Sequence, residues 1–307
     1  MRIKPHIKRT YFTFIILLFI ITINLYLRSD NISTKVIDLQ TSTLENKLVV
    51  HYLDIGQADC ILIQEPKGST VLIDAGNKLD SKYIQGYLLN LGITKIDVLI
   101  ATHPHADHIG SMDDIIYAFE IGKIYSPNVD HNTTAYRDFI DAVDKKNYKI
   151  TYASAGDHFS FNDANFQFIS PNQNEYDDLN FFSLVTKLDY GNVSFLFMGD
   201  AEGKVLNEIL NSNYNLRSDV IKIGHHGGVV SAPINFIKAV DPTIAVITVR
   251  PKSYSYPHFS VLSTLKENAI ETYLTKGQGT IVITSDGEII DVFRSSYKNT
   301  DSKSLDQ

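Results

Sequence analysis

VLIATHPHADHIG, residues 98–110, is the stretch on which the reading of this chain turns. Val98–Ala101 is a short apolar run that reads as a strand. It leads into His103, His105, Asp107 and His108, three imidazoles and a carboxylate within six residues. In extended chain, residues i and i+2 project to the same side, so His103 and His105 can grip one ion. If the backbone then turns into a helix, Asp107 and His108 can face a second ion nearby. Imidazole and carboxylate suit zinc, manganese or iron. A run of solvated polar residues is the plainer alternative. With 10 His in 307 residues, chance placement of this set is on the order of one in a thousand, which favours a metal site.

Two later segments extend the pattern. Phe195–Asp200 (FLFMGD) is an apolar strand ending in a carboxylate, and Ile221–Gly228 (IKIGHHGG) is another ending in histidine. A strand-end Asp is usually a turn former and a lone His a satisfied polar residue. Both gain weight by following the stronger motif. Asp200 can offer one oxygen to each of two metals and bridge them. Asp74, closing VLIDAG, reads equally as a turn-capping carboxylate or as a group beside the metals.

Around these segments the chain alternates short strands and helices. Leu48–Leu53, Cys60–Gln64 and Thr70–Asp74 read as strands, and Tyr83–Leu91 as a helix. Ile109–Phe119 and Thr133–Lys146 are further helices, and strands follow near Ile150–Tyr152 and Asn165–Ile169. Ser183–Leu188 and Val193–Met198 form a hairpin across Asp189–Asn192. Glu202–Leu210, Ile234–Val240 and Val261–Asn268 read as helices, and Val220–Ile223 and Ile244–Val249 as strands. Thr280–Thr284 pairs with Glu288–Phe293 across Asp286–Gly287. No linker divides residues 47–295, which predicts one α/β domain of stacked sheets with helices outside. Residues 296–307 read as a polar tail. Cys60, the single cysteine, excludes an intrachain disulfide framework and a cysteine-rich zinc module, and reads as a small core residue.

Charge is uneven. Residues 1–28 hold Arg2, Lys4, Lys8, Arg9 and Arg28 and no acid, so the remainder carries 23 basic and all 35 acidic side chains, near −12. Such a body is not that of a non-specific nucleic-acid binder. Tyr11–Leu27 is 17 residues without charge. As a helix it would span roughly 25 Å, slightly short of a ~30 Å hydrocarbon core. The basic residues before it predict a short cytoplasmic tail (1–10), a single transmembrane signal anchor (11–27), a polar tether (28–46) and an extracytoplasmic body at the cell membrane. A cleaved signal peptide is the main rival, although no small-x-small cleavage site follows the run. A core helix is the third reading.

The order LDIGQADCILI, VLIDAG, THPHADHIG, FLFMGDAE and KIGHHGG resembles the metallo-β-lactamase superfamily, and within it the extracytoplasmic hydrolase domain of ComEC-type competence proteins. The similarity covers about residues 48–293. It implies a metallo-β-lactamase αββα sandwich with two divalent metal ions, zinc or manganese, between the sheets. His103 and His105 would hold the first metal. Asp107, His108 and one of the paired histidines would hold the second, and Asp200 would bridge. The reading favours His226 as ligand and His225 as a substrate-facing group, a choice the motif alone does not make. Departures from the family pattern are Ala58 within Gly56–Asp59, Ser111 after Gly110, Phe181 and Phe182 after Asn180, and Tyr254-Ser255-Tyr256-Pro257 before His258. No histidine stands where many members have a third ligand for the first metal, so that metal is expected to be held weakly.

Two cations about 3.5–4 Å apart lower the pKa of a shared water and offset charge growing on ester or phosphodiester oxygens. On this reading Asp107 and Asp200 orient the attacking water, and His225 or His258 protonates the leaving group. The expected substrate is a phosphodiester, either single-stranded DNA or a cell-wall polymer, with Lys222, Arg250, Lys252 and Lys276 as a basic strip. The rivals are hydrolysis of another ester or amide, such as a β-lactam, and a degenerate metal-binding module without turnover.

Overall fold

The computed structural model describes residues 35–37, 44–250, 253, 255–275, 279–295 and 297. Its strands are β1 (Lys35–Ile37), β2 (Leu48–Tyr52), β3 (Ile61–Gln64), β4 (Thr70–Ile73), β5 (Lys95–Ile100), β6 (Glu120–Ser126), β7 (Ile150–Tyr152) and β8 (His158–Phe161). They continue with β9 (Ala164–Phe168), β10 (Thr186–Tyr190), β11 (Val193–Phe197), β12 (Val220–Lys222), β13 (Ile244–Ile247), β14 (Glu271–Leu274), β15 (Ile281–Ser285) and β16 (Ile290–Ser295). Helices are α1 (Ser81–Asn90), α2 (Ala106–Ile109), α3 (Met112–Ala118), α4 (Thr134–Lys145), α5 (Lys204–Leu210), α6 (Ile234–Val240) and α7 (Phe259–Glu267).

One sheet has the order β1-β16-β15-β2-β3-β4-β5-β6-β7, the other β14-β13-β12-β11-β10-β9-β8. In each, an antiparallel part passes into a parallel one: β4, β5, β6 and β7 are parallel, as are β11, β12, β13 and β14. Side-chain alternation along the strands divides the apolar residues among three cores. Val50, Ile61, Ile63 and Val71 meet Phe166, Phe195, Phe197 and Val246 between the sheets. Val49, Leu62, Leu72 and Leu99 face the other way, against Ile84, Leu88, Ile115 and Phe139 of the helices. Leu196, Ile221 and Ala245 likewise pack on Leu206, Ile237 and Leu265. The result is the expected αββα layering, with central strands such as β2, β3 and β4 buried on both faces and correspondingly apolar. Cys60 is fully buried in the first helix-covered core, and burial pushes its thiol pKa well up.

Local corrections have local causes. The helix expected over Ile109–Phe119 is two helices, α2 and α3. A Cβ on Gly110 would collide with the Ala106 carbonyl oxygen and lie 2.7 Å from Lys78 N. Only glycine permits that close packing, and Gly110 itself stays helical at φ −59° and ψ −30°, so the break falls at Ser111. Ser111 tolerates its side chain at φ −109° and donates its hydroxyl to Asn77 O. The expected strand Ser183–Leu188 begins only at Thr186. Ser183 Oγ instead accepts from Asp200 N at 3.1 Å, and Leu184 N donates to Thr102 O at 3.0 Å. Strands β1, β6, β8 and β14 were not expected, β1 falling within the stretch read as a tether: each mixes charged or polar residues with its apolar ones, and tertiary pairing supplies what the pattern does not.

Tyr11–Leu27 lies outside the described residues. Among the described residues, no helix is long and apolar enough to cross a membrane.

Candidate metal centre

Every candidate ligand sits at or just beyond a strand end. Asp74 follows β4, His103–His108 follow β5, Asp200 follows β11, and His225 and His226 follow β12. The carboxyl ends of parallel strands are where open α/β sheets gather ligands. Here the ends of two sheets converge.

Ligand atoms of Asp107, His108, Asp200 and His226 all lie within 4.8 Å of one another. His108 Nε2 is 3.3 Å from Asp200 Oδ2, and His226 Nε2 is 3.3 Å from Asp107 Oδ2. The far nitrogens have fixed partners. His108 Nδ1 is 2.7 Å from Asp74 Oδ2, and His226 Nδ1 is 3.0 Å from Thr248 O. Both partners are acceptors, so Nδ1 carries a proton in each ring and Nε2 is the atom turned towards the cluster. Metal-ligating histidines are oriented in this way. His108 Nε2 and Asp200 Oδ1 are buried with no hydrogen-bond partner among the described residues. Orphaned polar atoms in such a place call for an ion. The donor set thus fits a divalent cation.

His103 and His105 face each other, Nε2 to Nδ1 at 3.0 Å. Among the described residues they join no third His, Cys, Asp or Glu donor at ligand spacing. Asp200 Oδ1 accepts no hydrogen bond among the described residues, and the buried Lys222 ammonium stands 4.0 Å from it. Asp74 resolves the alternative left open by its sequence. It is fully buried, takes Thr102 N at 2.8 Å and Thr102 Oγ1 at 2.7 Å, and holds His108. Thr102 Oγ1 in turn lies 3.1 Å from His103 Nδ1. One carboxylate therefore orients a histidine of each prospective site.

The field of the cluster favours cations. Burial opposes charge on His108, yet Asp200 and Asp74 outweigh it and lift its pKa well above the usual imidazole value. A cation taking that proton's place meets the same carboxylates. Burial also opposes ionisation of Asp107 and Asp200. For Asp107 the His226 hydrogen bond and His108 prevail, and for Asp200 the charges of His108 and His226 do. Both acids sit well below the carboxylate range. His103, buried and beside His108, is held well below its ordinary value and stays neutral.

The paired histidines diverge. Both have positive φ, 44° and 51°, as does Asp74 at 60°. Non-glycine residues seldom adopt that region, and such strain clusters at functional sites. His226 turns inward to the cluster. His225 turns outward, half-buried, with Nδ1 2.9 Å from Glu202 Oε2 and Nε2 3.5 Å from Tyr256 Oη. The hydrogen bond to Glu202 is the main cause of its raised pKa.

The family model of the metallo-beta-lactamase superfamily matches residues 53–247. The chain belongs to that superfamily. ComE operon protein 3 of Bacillus subtilis is 28% identical over 250 residues, covering 76% of this chain and 32% of the relative. Recombination protein 2 of Haemophilus influenzae is 30% identical over 237 residues, covering 75% and 28%. The chain spans about a third of the length of these curated relatives. The resemblance to ComEC-type competence proteins holds on these matches. The metallo-beta-lactamase fold protein YhfI of Bacillus subtilis superposes with a TM-score of 0.55 at 14% identity, over 78% of this chain and all of that one. That likeness is one of fold.

Against the superfamily pattern, two departures are benign. Ala58 is fully buried and, unlike Gly56 at φ +86°, needs no left-handed backbone, so its methyl fills space. Ser111 is accommodated as described above. Asn180 is buried with its amide oxygen unpaired, while Phe181 packs edge-on against Tyr176. His258 stands beside the turn of the paired histidines, its N–H donating to Gly227 O at 2.8 Å. Its Nδ1 accepts from Ser260 N at the start of α7 and lies 2.7 Å from Ser260 Oγ. Lys222 is no part of a basic strip. It is fully buried against Asp59, because only a paired ammonium is tolerated in the interior. Arg250 is exposed, and Lys252 and Lys276 lie outside the described residues. Sequence reasoning also passed over Glu202, Thr102 and Thr248. Glu202 stands two residues beyond Asp200 and was legible as an acid near the site; the hydroxyls carry no such signal.

Proposed function

We propose that this domain is a metal-dependent phosphodiesterase, with Asp107, His108, Asp200 and His226 holding one divalent ion and His103, His105 and Asp200 a second. Zinc and manganese are the ions these donors suit. The observation that carries the reading is the convergence of four donors whose histidines are already turned, by Asp74 and by Thr248 O, to present Nε2. Bound ions supply Lewis acidity, which activates water and offsets charge on phosphoryl oxygens.

The chain's own residues do the rest. Asp107 and Asp200 stay ionised and fix the direction of attack. The Glu202 carboxylate stands 2.9 Å from His225 Nδ1 and favours the charged ring, so His225 Nε2 is the atom that delivers a proton to a departing oxygen. Tyr256 lies beside that atom, and its hydroxyl can contact a substrate oxygen. Relatives named for competence and recombination support DNA as substrate. The acidic body and the burial of Lys222 argue against a tight, salt-sensitive grip on long DNA, and a cell-wall phosphodiester fits an outward-facing domain equally well. The reading places the domain outside the cell on an anchor at 11–27.

The test is metal analysis of the full chain together with a small ester panel. The expected result is one to two ions per chain and Mn²⁺- or Zn²⁺-dependent cleavage of a bis-aryl phosphodiester, faster than of the monoester. Cleavage of single-stranded DNA that falls steeply with salt supports DNA; slow DNA cleavage even at low salt supports the wall polymer. Rapid opening of a β-lactam with no phosphodiesterase activity overturns the proposal, and bound metal without any turnover indicates a binding module.

A further inference from the structure

The fully buried ammonium of Lys222 lies beneath the metal cluster. Lys222 belongs to β12 in the second sheet, whereas its partner Asp59 lies in the loop before β3 of the first. Lys222 and Asp59 are 0% and 1% exposed. The pair therefore spans the sandwich. From Asp59, backbone bonds run to the first half of the site: its N–H donates to Asp107 O at 3.1 Å, and Gly76 N donates to Asp59 O at 2.9 Å. From Lys222, a bond runs to Gly199 O at 3.1 Å, in the turn that carries Asp200. Asp59 Oδ1 takes the Thr248 hydroxyl, and Thr248 O takes His226 Nδ1–H.

The prospective site of Asp107, His108, Asp200 and His226 draws two ligands from each half, so its ligand spacing depends on how the halves are joined. The other prospective site takes His103 and His105 from one half and only Asp200 from the second, so it depends on the join through a single ligand. We propose that the Lys222–Asp59 pair is a positioning clip that sets the separation of Asp107 and His108 from Asp200 and His226. The proposal rests on the metal reading above.

Removing one partner strands a buried charge and is strongly destabilising, whereas neutralising both is commonly tolerated. The informative variant is therefore Lys222→Met combined with Asp59→Asn, which keeps an acceptor for Thr248. Full-length wild-type and variant chains, stripped of metal, are compared by urea denaturation and then titrated with Mn²⁺ or Zn²⁺ against a chelator. The clip predicts a urea midpoint near wild type, the ion of the four-donor site weakened at least tenfold, the scale of outer-shell changes at metal sites, and a smaller loss at the other ion, which shares only Asp200 with the second half. Thr248→Val, which removes one strut and leaves the ion pair, is expected to weaken the ion of the four-donor site by a smaller factor. That variant decides the matter should the double variant fail to fold. Two ions held equally well by wild type and by whichever of these variants folds would overturn the clip alone. Wild-type protein that takes up no ion overturns the metal reading, and the clip with it.

Discussion

His225 and His226 are neighbours with the same strained backbone and different partners. His226 is 1% exposed and bound to Thr248 O, so it can only present Nε2 inward. His225 is held by Glu202, a carboxylate that keeps a proton on the ring. The division of labour predicts a leaving-group dependence. His225→Ala is expected to slow cleavage of an alkyl phosphodiester by about 10²–10⁴, the range for losing a general acid. A nitrophenyl ester, whose leaving group departs without a proton, should slow far less. Glu202→Gln is expected to show the same pattern at smaller amplitude, with metal content unchanged. Equal losses on both esters would assign His225 to binding.

At the level of the element, strand β2 carries a buried histidine unrelated to the metals. His51 lies opposite Leu62 in the β2–β3 register, yet its Nε2 reaches Gln64 Oε1 at 2.9 Å, and its Nδ1 lies 2.9 Å from Tyr87 Oη on α1. With Gln64 as acceptor, Nε2 donates and Nδ1 accepts the tyrosine hydroxyl, a neutral ring. Burial lowers its pKa to about 4, against a small opposing effect of Gln64. The folded value lies below the unfolded one, so the unfolded chain binds the extra proton between them. The stability is therefore full above pH 6.5 and is lost as pH falls towards 4, by about 3 kcal/mol in all. The stability difference between wild-type apoprotein and His51→Gln should shrink by that order between pH 7 and pH 4, read from urea melts. A pH-independent difference would show that the ring is not buried as a neutral group.

On the scale of the whole molecule, the acidic body and the basic, apolar N-terminus are separate statements. An acidic domain gains nothing from anionic lipid headgroups, so the proposed membrane attachment is assigned to residues 11–27. External protease on intact cells is expected to remove the body and leave a membrane-bound stub. A body protected from protease would reverse the proposed orientation, and mature protein in the medium beginning near residue 29 would indicate a cleaved signal.

Much of this molecule was legible before folding because its main determinants are local. Four candidate ligands fall within six residues after a strand, and apolar runs with turn residues between them mark most strands and helices. Buried strands read as near-continuous apolar segments whatever they pair with. Other features depend on strand ends from two sheets meeting across more than a hundred residues. Only the tertiary structure chose His226 over His225 for the cluster, because that choice rests on where Thr248 O and Glu202 stand. Only it separated Asp74 from an ordinary turn former, through contacts to Thr102 and His108. Lys222 reads as a surface cation in any sequence, since a lysine is buried only where a carboxylate is brought to it, and Asp59 is 163 positions away. Residue type and spacing thus determined which chemistry the chain could assemble, and packing of the two sheets decided which residues face one another to perform it.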